Sequence, residues 1–447
     1  MANVKDIVKD FYTVEDAMAF DEKTVKELQH KHLNKVRNQL SDSFFFTKAE
    51  GSKFWDEAGN VHLDFNTGVG VTTVGSNNPF VWEKIKKVVE SKQHIIGAIM
   101  YHNVAAAFAH DMGLLSPGGK LTKMGTATGG AEAIEGCIKL VKIASRNKKD
   151  KTRILACENA FHGKTTGAVS VGGKEQWRKF QHPLMECVDH IPFGDAEALE
   201  KALATGQYKA FFVEPIQGEA GVKTPPKGYL KKVRELCTKY DAYMVADEIQ
   251  CGCGRSGKMW VCQHEDVIPD VIAFAKGFSG GIVPTGGYIT TEELFEAAYD
   301  SPETCFHHSA TYQENALCAA AGLATLQYIL ENNLIENAAK MGDYFIGRLN
   351  DLWKKYPEII KEVRGMGLMI GLETFALPEK CQGEMGTYYA EAINHDCVMK
   401  YHVQFSHTFN NAAVFRFLPP LTVTKDEIDY AMDSLEKTTA DIAEKTA

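Results

Sequence analysis

The feature that most constrains the fold is an alternation of short apolar runs and amphipathic helical patterns in the middle of the chain. The apolar runs, each with the length and composition of a strand, are Arg153–Cys157, Ala210–Val213, Ala242–Ala246, Val271–Ala275 and Thr285–Ile289. Amphipathic stretches such as Ala196–Ala204 and Leu230–Tyr240 lie between them. This alternation is typical of α/β proteins. The sequence therefore predicts an α/β fold with a mainly parallel sheet.

The length of 447 residues favours more than one subdomain, because single cores stop growing well before this size. The pattern changes near residue 331, where a long helix is predicted through Tyr356, followed by strands at Met366–Glu373 and Val414–Leu418 and a last helix from Lys425. Asn60–Phe65 has the character of a hairpin strand. We expect a large domain over residues 76–330 and a smaller α+β domain over residues 331–447, against which residues 1–75 pack.

Three of the apolar runs end in charged residues. Glu214 follows the second run, Asp247 follows the third, and Lys276 follows the fourth. Because ligands of open α/β sheets bind beyond the carboxyl ends of the strands, these side chains are expected to converge on one crevice. A lysine beside apolar neighbours can act as a nucleophile for carbonyl carbon, and an aspartate can keep a pyridine nitrogen protonated. This pairing is what a pyridoxal-phosphate site requires of its protein.

A phosphate group needs backbone donors, and the run from Gly125 to Ala133 offers them. Its small residues lead directly into a helical pattern over Ile134–Val141. A helix that begins at small residues leaves backbone N–H groups free, and the helix dipole favours an anion there. This segment is therefore a candidate phosphate cradle.

Composition narrows the class of protein. The formal net charge of −9 argues against nucleic-acid and anionic-membrane partners, and no apolar stretch approaches the length of a membrane span. The N-terminal residues have no hydrophobic signal core. Eleven scattered cysteines favour a reducing, cytoplasmic location. The cluster of Cys251, Cys253 and Cys262 is interpreted as small buried residues, so no metal is expected.

One segment fits a different class of enzyme. Gly252–Gly257 has the spacing of a dinucleotide-binding turn and follows a predicted strand, which would suit a nicotinamide-dependent dehydrogenase. However, Asp247 and Glu248 would crowd a pyrophosphate, and Lys258–Pro269 is too short and irregular for the helix that should follow. The dehydrogenase remains a distant alternative.

Several motifs together resemble the class III aminotransferases of the pyridoxal-phosphate fold-type I superfamily. Asp247-Glu248-Ile249-Gln250 followed by Gly254-Arg255-Ser256-Gly257 is similar to the aspartate motif of that family. Pro269-Asp270-Val271-Ile272 through Ala275-Lys276-Gly277 is similar to its lysine motif. The resemblance runs from about Phe54 to the last helix and is closest to putrescine, 4-aminobutyrate and ornithine aminotransferases.

The resemblance implies roles for the residues that hold the cofactor. Lys276 would bind pyridoxal phosphate as a Schiff base and then carry the substrate proton, while Asp247 would pair with the pyridinium nitrogen. Gln250 would lie near the ring hydroxyl, and the backbone of Gly130 and Ala131 would bind the phosphate.

Three more residues are assigned to the cofactor by the same resemblance. Phe161-His162-Gly163-Lys164-Thr165 is similar to a family segment whose aromatic residue, here Phe161, stacks on the ring, and His162 is counted with it. Thr311 resembles a residue that reaches the phosphate of the neighbouring subunit. This implies a homodimer with shared active sites, with a tetramer as the alternative.

The substrate residues implied are Arg416, Glu219 and Lys164. Arg416 resembles the arginine that binds an α-carboxylate, and Glu219 the acid that covers this arginine when the substrate lacks that group. Lys164 stands where many relatives have an arginine for a distal carboxylate. These residues predict a transaminase that moves the amino group of an ω-amine or ω-amino acid to 2-oxoglutarate. A racemase or epimerase on the same scaffold remains open.

Overall fold

The computed structural model describes residues 11–33, 44–97, 100–383 and 385–446. The strands in these ranges are β1 (Phe46–Glu50), β2 (Lys53–Asp56), β3 (Val61–Asp64), β4 (Lys123–Ala127), β5 (Arg153–Cys157), β6 (Val188–Ile191), β7 (Tyr208–Val213), β8 (Tyr243–Asp247), β9 (Val271–Phe274), β10 (Gly286–Thr290), β11 (Ile360–Met366), β12 (Met369–Thr374), β13 (Val403–Gln404), β14 (Ser406–Thr408) and β15 (Asn411–Phe417).

The α-helices are α1 (Val14–Met18), α2 (Glu22–His32), α3 (Thr67–Gly70), α4 (Pro79–Glu90), α5 (Asn103–Leu115), α6 (Gly130–Ala144), α7 (Thr166–Val171), α8 (Glu175–Arg178), α9 (Ala196–Leu203), α10 (Tyr229–Lys239), α11 (Glu292–Tyr299), α12 (Ala316–Glu331), α13 (Leu334–Lys355), α14 (Tyr389–Tyr401) and α15 (Lys425–Thr446). Short 3-10 helices occupy Pro117–Gly119, Val261–Glu265, Lys276–Ser279, Cys305–His307 and Glu379–Cys381.

A central seven-stranded sheet organises the molecule, in the order β4-β10-β9-β8-β7-β5-β6. Neighbouring strands from β6 to β9 are parallel, and β10 is antiparallel to both β9 and β4. The predicted α/β fold with a mainly parallel sheet is confirmed. The last predicted run of this region, Thr285–Ile289, corresponds to β10, the strand that runs in the opposite direction.

The apolar runs form this sheet because both of its faces are covered. All residues of β9 and β10 are buried, as are Phe211 and Phe212 on opposite faces of β7. Each face contributes to its own hydrophobic cluster, one containing Phe211 and the other Phe212. Strands that are buried on both sides are apolar at every position, which is why these runs do not alternate with polar residues.

Two four-stranded sheets lie outside the central sheet, in the orders β1-β2-β3-β13 and β11-β12-β15-β14. In the first, Leu63 of β3 pairs with Val403 of β13 in parallel, so an N-terminal strand joins a C-terminal one. This pairing supports the proposed domain division, which remains a prediction. The predicted strand Met366–Glu373 corresponds to β12, but it begins three residues later than predicted, since a turn at Gly367, with φ 55°, separates β11 from β12.

The segment with dinucleotide spacing does not have the surroundings that a pyrophosphate needs. Gly252–Gly257 forms consecutive turns after β8, and the next helical element is the 3-10 helix Val261–Glu265. In a dinucleotide site the glycine-rich turn opens an α-helix whose N-terminus binds the pyrophosphate. The structure therefore does not support the dehydrogenase alternative. In the described part of the chain, no helix has both the length and the apolar character to cross a membrane.

Candidate active site

A cavity of about 320 Å³ lies beyond the carboxyl ends of β7, β8 and β9. Its volume is in the range of small-molecule sites. Eight of the eleven residues that the sequence assigned to cofactor or substrate line it, namely Gly130, Ala131, Phe161, His162, Glu219, Asp247, Gln250 and Lys276. The charged residues at the strand ends thus meet at one cavity, as the sequence predicted.

Lys276 comes two residues after the end of β9 and opens a 3-10 helix at the cavity wall. Its backbone has φ 50°, a left-handed conformation that is costly for a side chain and common at functional sites. The next residue, Gly277, packs closely on Thr73, and a Cβ there would lie 2.1 Å from Thr73 Oγ1, so a larger residue would require Thr73 to move. Burial lowers the pKa of the Lys276 amine to about 8, although Glu219 acts in the opposite direction. At pH 7 this pKa leaves about a tenth of the amine neutral and nucleophilic, far more than for an ordinary lysine.

We expect Lys276 to react with small aldehydes at a rate that rises with pH around a midpoint near 8. An ordinary lysine has its midpoint near a pH of about 10.4. As the pH rises through this range the amine loses its proton, and only the neutral amine attacks carbonyl carbon. Borohydride trapping followed by peptide mass spectrometry gives the rate for each lysine. The exposed Lys227 is measured in the same peptide maps as a reference. If Lys276 has the same midpoint pH as Lys227, the lowered pKa assigned to Lys276 is contradicted.

Asp247 is the last residue of β8 and is held from two sides. Its Oδ1 accepts the Ile249 N–H at 3.1 Å, and its Oδ2 lies 2.7 Å from Nδ1 of His162. Burial alone would lower the pKa of His162, but the hydrogen bond and charge of Asp247 outweigh it and raise that pKa. The carboxylate therefore lines the cavity with an imidazole behind it, and each group favours the charged form of the other. The sequence had placed His162 with the ring-stacking segment and had not indicated its contact with Asp247.

Glu214 lines the cavity, as expected from its place at the end of an apolar strand, although the sequence had assigned it no role there. Its Oε1 accepts the N–H of Phe161 at 2.9 Å, and its Oε2 accepts that of Gly218 at 3.3 Å. Burial raises the pKa of Glu214 to about 8. These bonds fix two loops of the cavity wall, so Glu214 positions Phe161.

The N-terminus of α6 opens on the cavity through Gly129, Gly130 and Ala131. No side chain caps this helix, and a Cβ on Gly129 would meet no atom within 4 Å. The first N–H groups of a helix have no partner within the helix, and its dipole favours an anion at this end. The predicted phosphate cradle is thus an open, uncapped helix start.

A buried ion pair lies on another wall of the cavity. NH1 of Arg416, in β15, donates to Oε1 of Glu219, which also accepts from Nε2 of Gln250 at 3.0 Å. Burial alone would raise the pKa of Glu219, but the charge of Arg416 outweighs it and lowers that pKa. Nε and NH2 of Arg416 are buried without a hydrogen-bond partner. The guanidinium therefore has donors left for another acceptor.

Three predicted residues do not line the cavity, namely Lys164, Thr311 and Arg416, of which Arg416 contacts it through Glu219. The Lys164 ammonium lies 4.4 Å from the ring centroid of Trp177, just outside the cavity wall. Thr311 is exposed in the loop between the 3-10 helix Cys305–His307 and α12. This position neither supports nor opposes the predicted contact with a neighbouring subunit.

The residues present fit pyridoxal phosphate. The uncapped start of α6 suits a phosphate, the Lys276 amine suits an aldehyde, and Asp247 is an acceptor for a protonated ring nitrogen. The free guanidinium donors of Arg416 suit the carboxylate of an incoming acid. In the described ranges no group of histidine, cysteine or acidic side chains is arranged to hold a metal ion.

Comparison with known proteins gives consistent matches over nearly the whole chain. The family model for class III aminotransferases matches residues 35–439. A Schizosaccharomyces pombe protein described as an uncharacterized aminotransferase is 54% identical over 426 residues, which cover 95% of this chain and 88% of that protein.

Two solved structures are similar in fold. The ornithine aminotransferase of Toxoplasma gondii has a TM-score of 0.83 and 26% identity, with 99% of this chain and 98% of that chain covered. The taurine:2-oxoglutarate aminotransferase of Bifidobacterium kashiwanohense, solved in complex with PLP and glutamate, has a TM-score of 0.86. Its identity is 22%, with 96% and 99% of the two chains covered, so this likeness shows the fold alone.

Proposed function

Because this chain belongs to the class III aminotransferases, which are pyridoxal-phosphate-dependent transaminases, we propose that its donor is an ω-amine or ω-amino acid and its acceptor 2-oxoglutarate. Putrescine, ornithine and 4-aminobutyrate represent the donor class. In the first half-reaction the donor carbon loses its amino group and becomes an aldehyde. In the second, the oxo carbon of 2-oxoglutarate receives that amino group and becomes the amine carbon of glutamate. The two substrates follow each other in one site.

The observation that carries this proposal is the buried pair of Arg416 and Glu219. An acceptor with an α-carboxylate needs a free guanidinium, whereas a donor without that group would leave the guanidinium unpaired. An unpaired buried charge is costly, so a carboxylate that can cover it serves the donor half-reaction. Arg416 pairs with Glu219 and keeps two donors, Nε and NH2, without a partner. This arrangement suits an enzyme that alternates between a substrate with an α-carboxylate and a substrate without one.

The other residues hold the cofactor and move protons. Pyridoxal phosphate, when bound, supplies an electron-accepting ring that stabilises negative charge on the substrate carbon. Lys276 would attach the cofactor and then carry a proton from the substrate carbon. Asp247, supported by His162, would keep the ring nitrogen protonated. Gly130 and Ala131 would bind the phosphate, Phe161 would cover the ring, and Gln250 would lie beside its hydroxyl.

A homodimer is part of the same proposal. Thr311 is exposed and does not line the cavity of its own chain, so it is available to complete the phosphate site of a second copy. Measurement of the molar mass of the holoenzyme in solution tests this, together with the cofactor affinity of Thr311→Ala.

Arg416→Ala and Glu219→Ala are expected to impair opposite half-reactions. Without Arg416, 2-oxoglutarate loses the partner of its α-carboxylate, which costs about 2–5 kcal/mol, while a donor without that group is affected far less. Without Glu219, the uncovered Arg416 favours substrates that carry an α-carboxylate and disfavours ω-amines. Single-turnover absorbance changes of the cofactor follow each half-reaction separately.

The control for this pair is Arg153→Ala, which removes an ion pair with Asp189 at the far side of the sheet and should change neither half-reaction. Equal losses in both half-reactions for both site variants would mean that the pair has only a structural role.

A further inference from the structure

The turn that joins β14 to β15 contacts Glu219, the acid of the buried ion pair. The turn consists of Phe409 and Asn410, since Thr408 of β14 pairs with Asn411 of β15. The N–H of Phe409 donates to Oε2 of Glu219 at 3.0 Å, and the N–H of Asn410 donates to the backbone oxygen of Glu219, also at 3.0 Å. Two consecutive backbone donors thus bind one acidic residue. We call Phe409 and Asn410 the hairpin turn.

The other side of the hairpin turn is anchored by side-chain hydrogen bonds. Oδ1 of Asn410 accepts the indole N–H of Trp177, in α8, at 2.7 Å, and Nδ2 of Asn410 donates to the backbone oxygen of Asn159 at 3.0 Å. Nε2 of Gln176 donates to the backbone oxygen of Phe409 at 3.1 Å. These anchors come from segments more than 200 positions away in the chain. The hairpin turn is therefore fixed between α8 and the ion pair.

The bond from Phe409 to the carboxylate exists only while Glu219 covers Arg416. Because a guanidinium carries a single positive charge, an α-carboxylate gains most from Arg416 after the Glu219 carboxylate has rotated away. This rotation breaks the bond from Phe409 to Oε2 of Glu219. The bond from Asn410 can persist, because its acceptor is the backbone oxygen of Glu219. The position of the hairpin turn therefore affects the covered state of Arg416 more than the uncovered state.

We infer that Asn410 and Trp177 are positioning residues: they hold the hairpin turn so that Glu219 stays on the guanidinium until an α-carboxylate replaces it. The inference rests on the proposed function, in which one site takes donors without an α-carboxylate and an acceptor with one. Neither Asn410 nor Trp177 lines the cavity, yet both affect how readily the site takes the second kind of substrate.

The covered and uncovered states of Arg416 form a two-state equilibrium, of which the structure shows the covered state. A ligand with an α-carboxylate binds the uncovered state, so its apparent affinity increases with the uncovered fraction. Loss of one hydrogen bond from the covered state raises a small uncovered fraction by about fivefold, while the covered state remains the major one. Weaker anchors should therefore tighten the binding of α-carboxylates and leave other donors almost unchanged. Structural damage would instead weaken both.

The variants are Trp177→Phe, which keeps a ring and removes the indole donor, and Asn410→Ala, which removes both side-chain bonds of the hairpin turn. Neither change removes a backbone donor to Glu219. The matched control is Trp82→Phe, because the indole of Trp82 donates to Oδ1 of Asn77 at 3.3 Å and this pair does not line the cavity. Each change is also made in the Glu219→Ala protein, where the hairpin turn has no carboxylate to hold.

Two kinds of measurement are made on the holoenzyme. Glutarate, which has the two carboxylates of 2-oxoglutarate and no oxo group to react, is titrated by calorimetry. Single-turnover kinetics with putrescine, 4-aminobutyrate and 2-oxoglutarate give a dissociation constant and a rate for each half-reaction. The calorimetry requires no turnover, so it tests the role of the hairpin turn even where the proposed substrates do not react.

We expect glutarate and 2-oxoglutarate to bind about fivefold more tightly to Trp177→Phe and to Asn410→Ala than to the wild type. The dissociation constants of putrescine and 4-aminobutyrate should change by less than about twofold, because the covered state stays dominant. In the Glu219→Ala protein neither anchor change should have a further effect. The Trp82→Phe control should match the wild type in every measurement.

Two results would overturn the inference. One is glutarate binding that both anchor variants leave unchanged, or weaken together with the donors, which would mean that the anchors have only a structural role. The other is tightening that persists in the Glu219→Ala protein, which would mean that the anchors do not act through Glu219. If the proposed substrates leave the cofactor spectrum unchanged while glutarate still binds more tightly to the anchor variants, the proposed function fails and the role of the hairpin turn stands.

Discussion

Replacement of Lys276 by alanine is expected to abolish transamination and to leave pyridoxal phosphate bound without a covalent link. The residue supplies both the amine that attaches the cofactor and the base that moves the substrate proton. Loss of a general base alone costs about 10²–10⁴ in rate, and loss of the attachment adds to this. The cavity that surrounds Lys276 would still bind the phosphate through the start of α6.

Borohydride reduction followed by peptide mapping measures this outcome. The wild-type protein should carry the reduced cofactor on Lys276, and the alanine variant should release it on denaturation. Lys227→Ala, which removes an exposed lysine, is the control and should behave as the wild type. Reductive fixation of the cofactor to the Lys276→Ala protein would show that a different lysine holds it.

Asp247→Asn is expected to retain the cofactor while losing most of the proton-transfer rate. An amide cannot stabilise a positive charge on the ring nitrogen as a carboxylate does, and the 2.7 Å contact with His162 loses its charge. Removal of one electrostatic stabiliser of this kind raises the barrier by about 3–4 kcal/mol, which is a rate loss of about 10²–10³. Both half-reactions depend on the same ring, so both should slow together.

The rates of the two half-reactions, followed by the cofactor absorbance, test this expectation. Asp189→Asn is a suitable control, because this aspartate pairs with Arg153 on a distant strand of the same sheet. A variant at Asp247 that stays within about tenfold of the wild type, or about 1.4 kcal/mol, would place the residue outside the catalytic centre.

The position of the site followed from the sequence to a large extent. Strands buried on both faces must be apolar throughout, so the runs before Glu214, Asp247 and Lys276 were visible as strands. Parallel strands end at one edge of the sheet, and the charges that follow them therefore meet. The local sequence was sufficient to locate the site, because each of these charged residues lies within a few residues of the end of its strand.

The turn between β11 and β12 shows where local pattern fails. Gly367 lies between apolar residues, among them Met366 and Met369, so this part of the sequence has the composition of one continuous strand. Only the backbone at Gly367, with φ 55°, reverses the chain and makes two antiparallel strands. Gly342 packs so closely on this turn that a Cβ there would lie 2.2 Å from Gly367 O. This contact joins two segments that are separate in the sequence, so the pattern around Gly367 does not reveal it.

The sequence by itself determined the α/β class, the apolar strands and the chemistry at their ends, because each of these depends on neighbours within the same segment. The tertiary structure alone decided which side chains meet across the cavity. His162 and Asp247 are 85 positions apart, and Glu219 and Arg416 are 197 positions apart. The ammonium of Lys164 likewise lies among rings from separate segments. Such contacts leave no periodic pattern in the chain, because they depend on how distant loops pack over the same edge of the sheet.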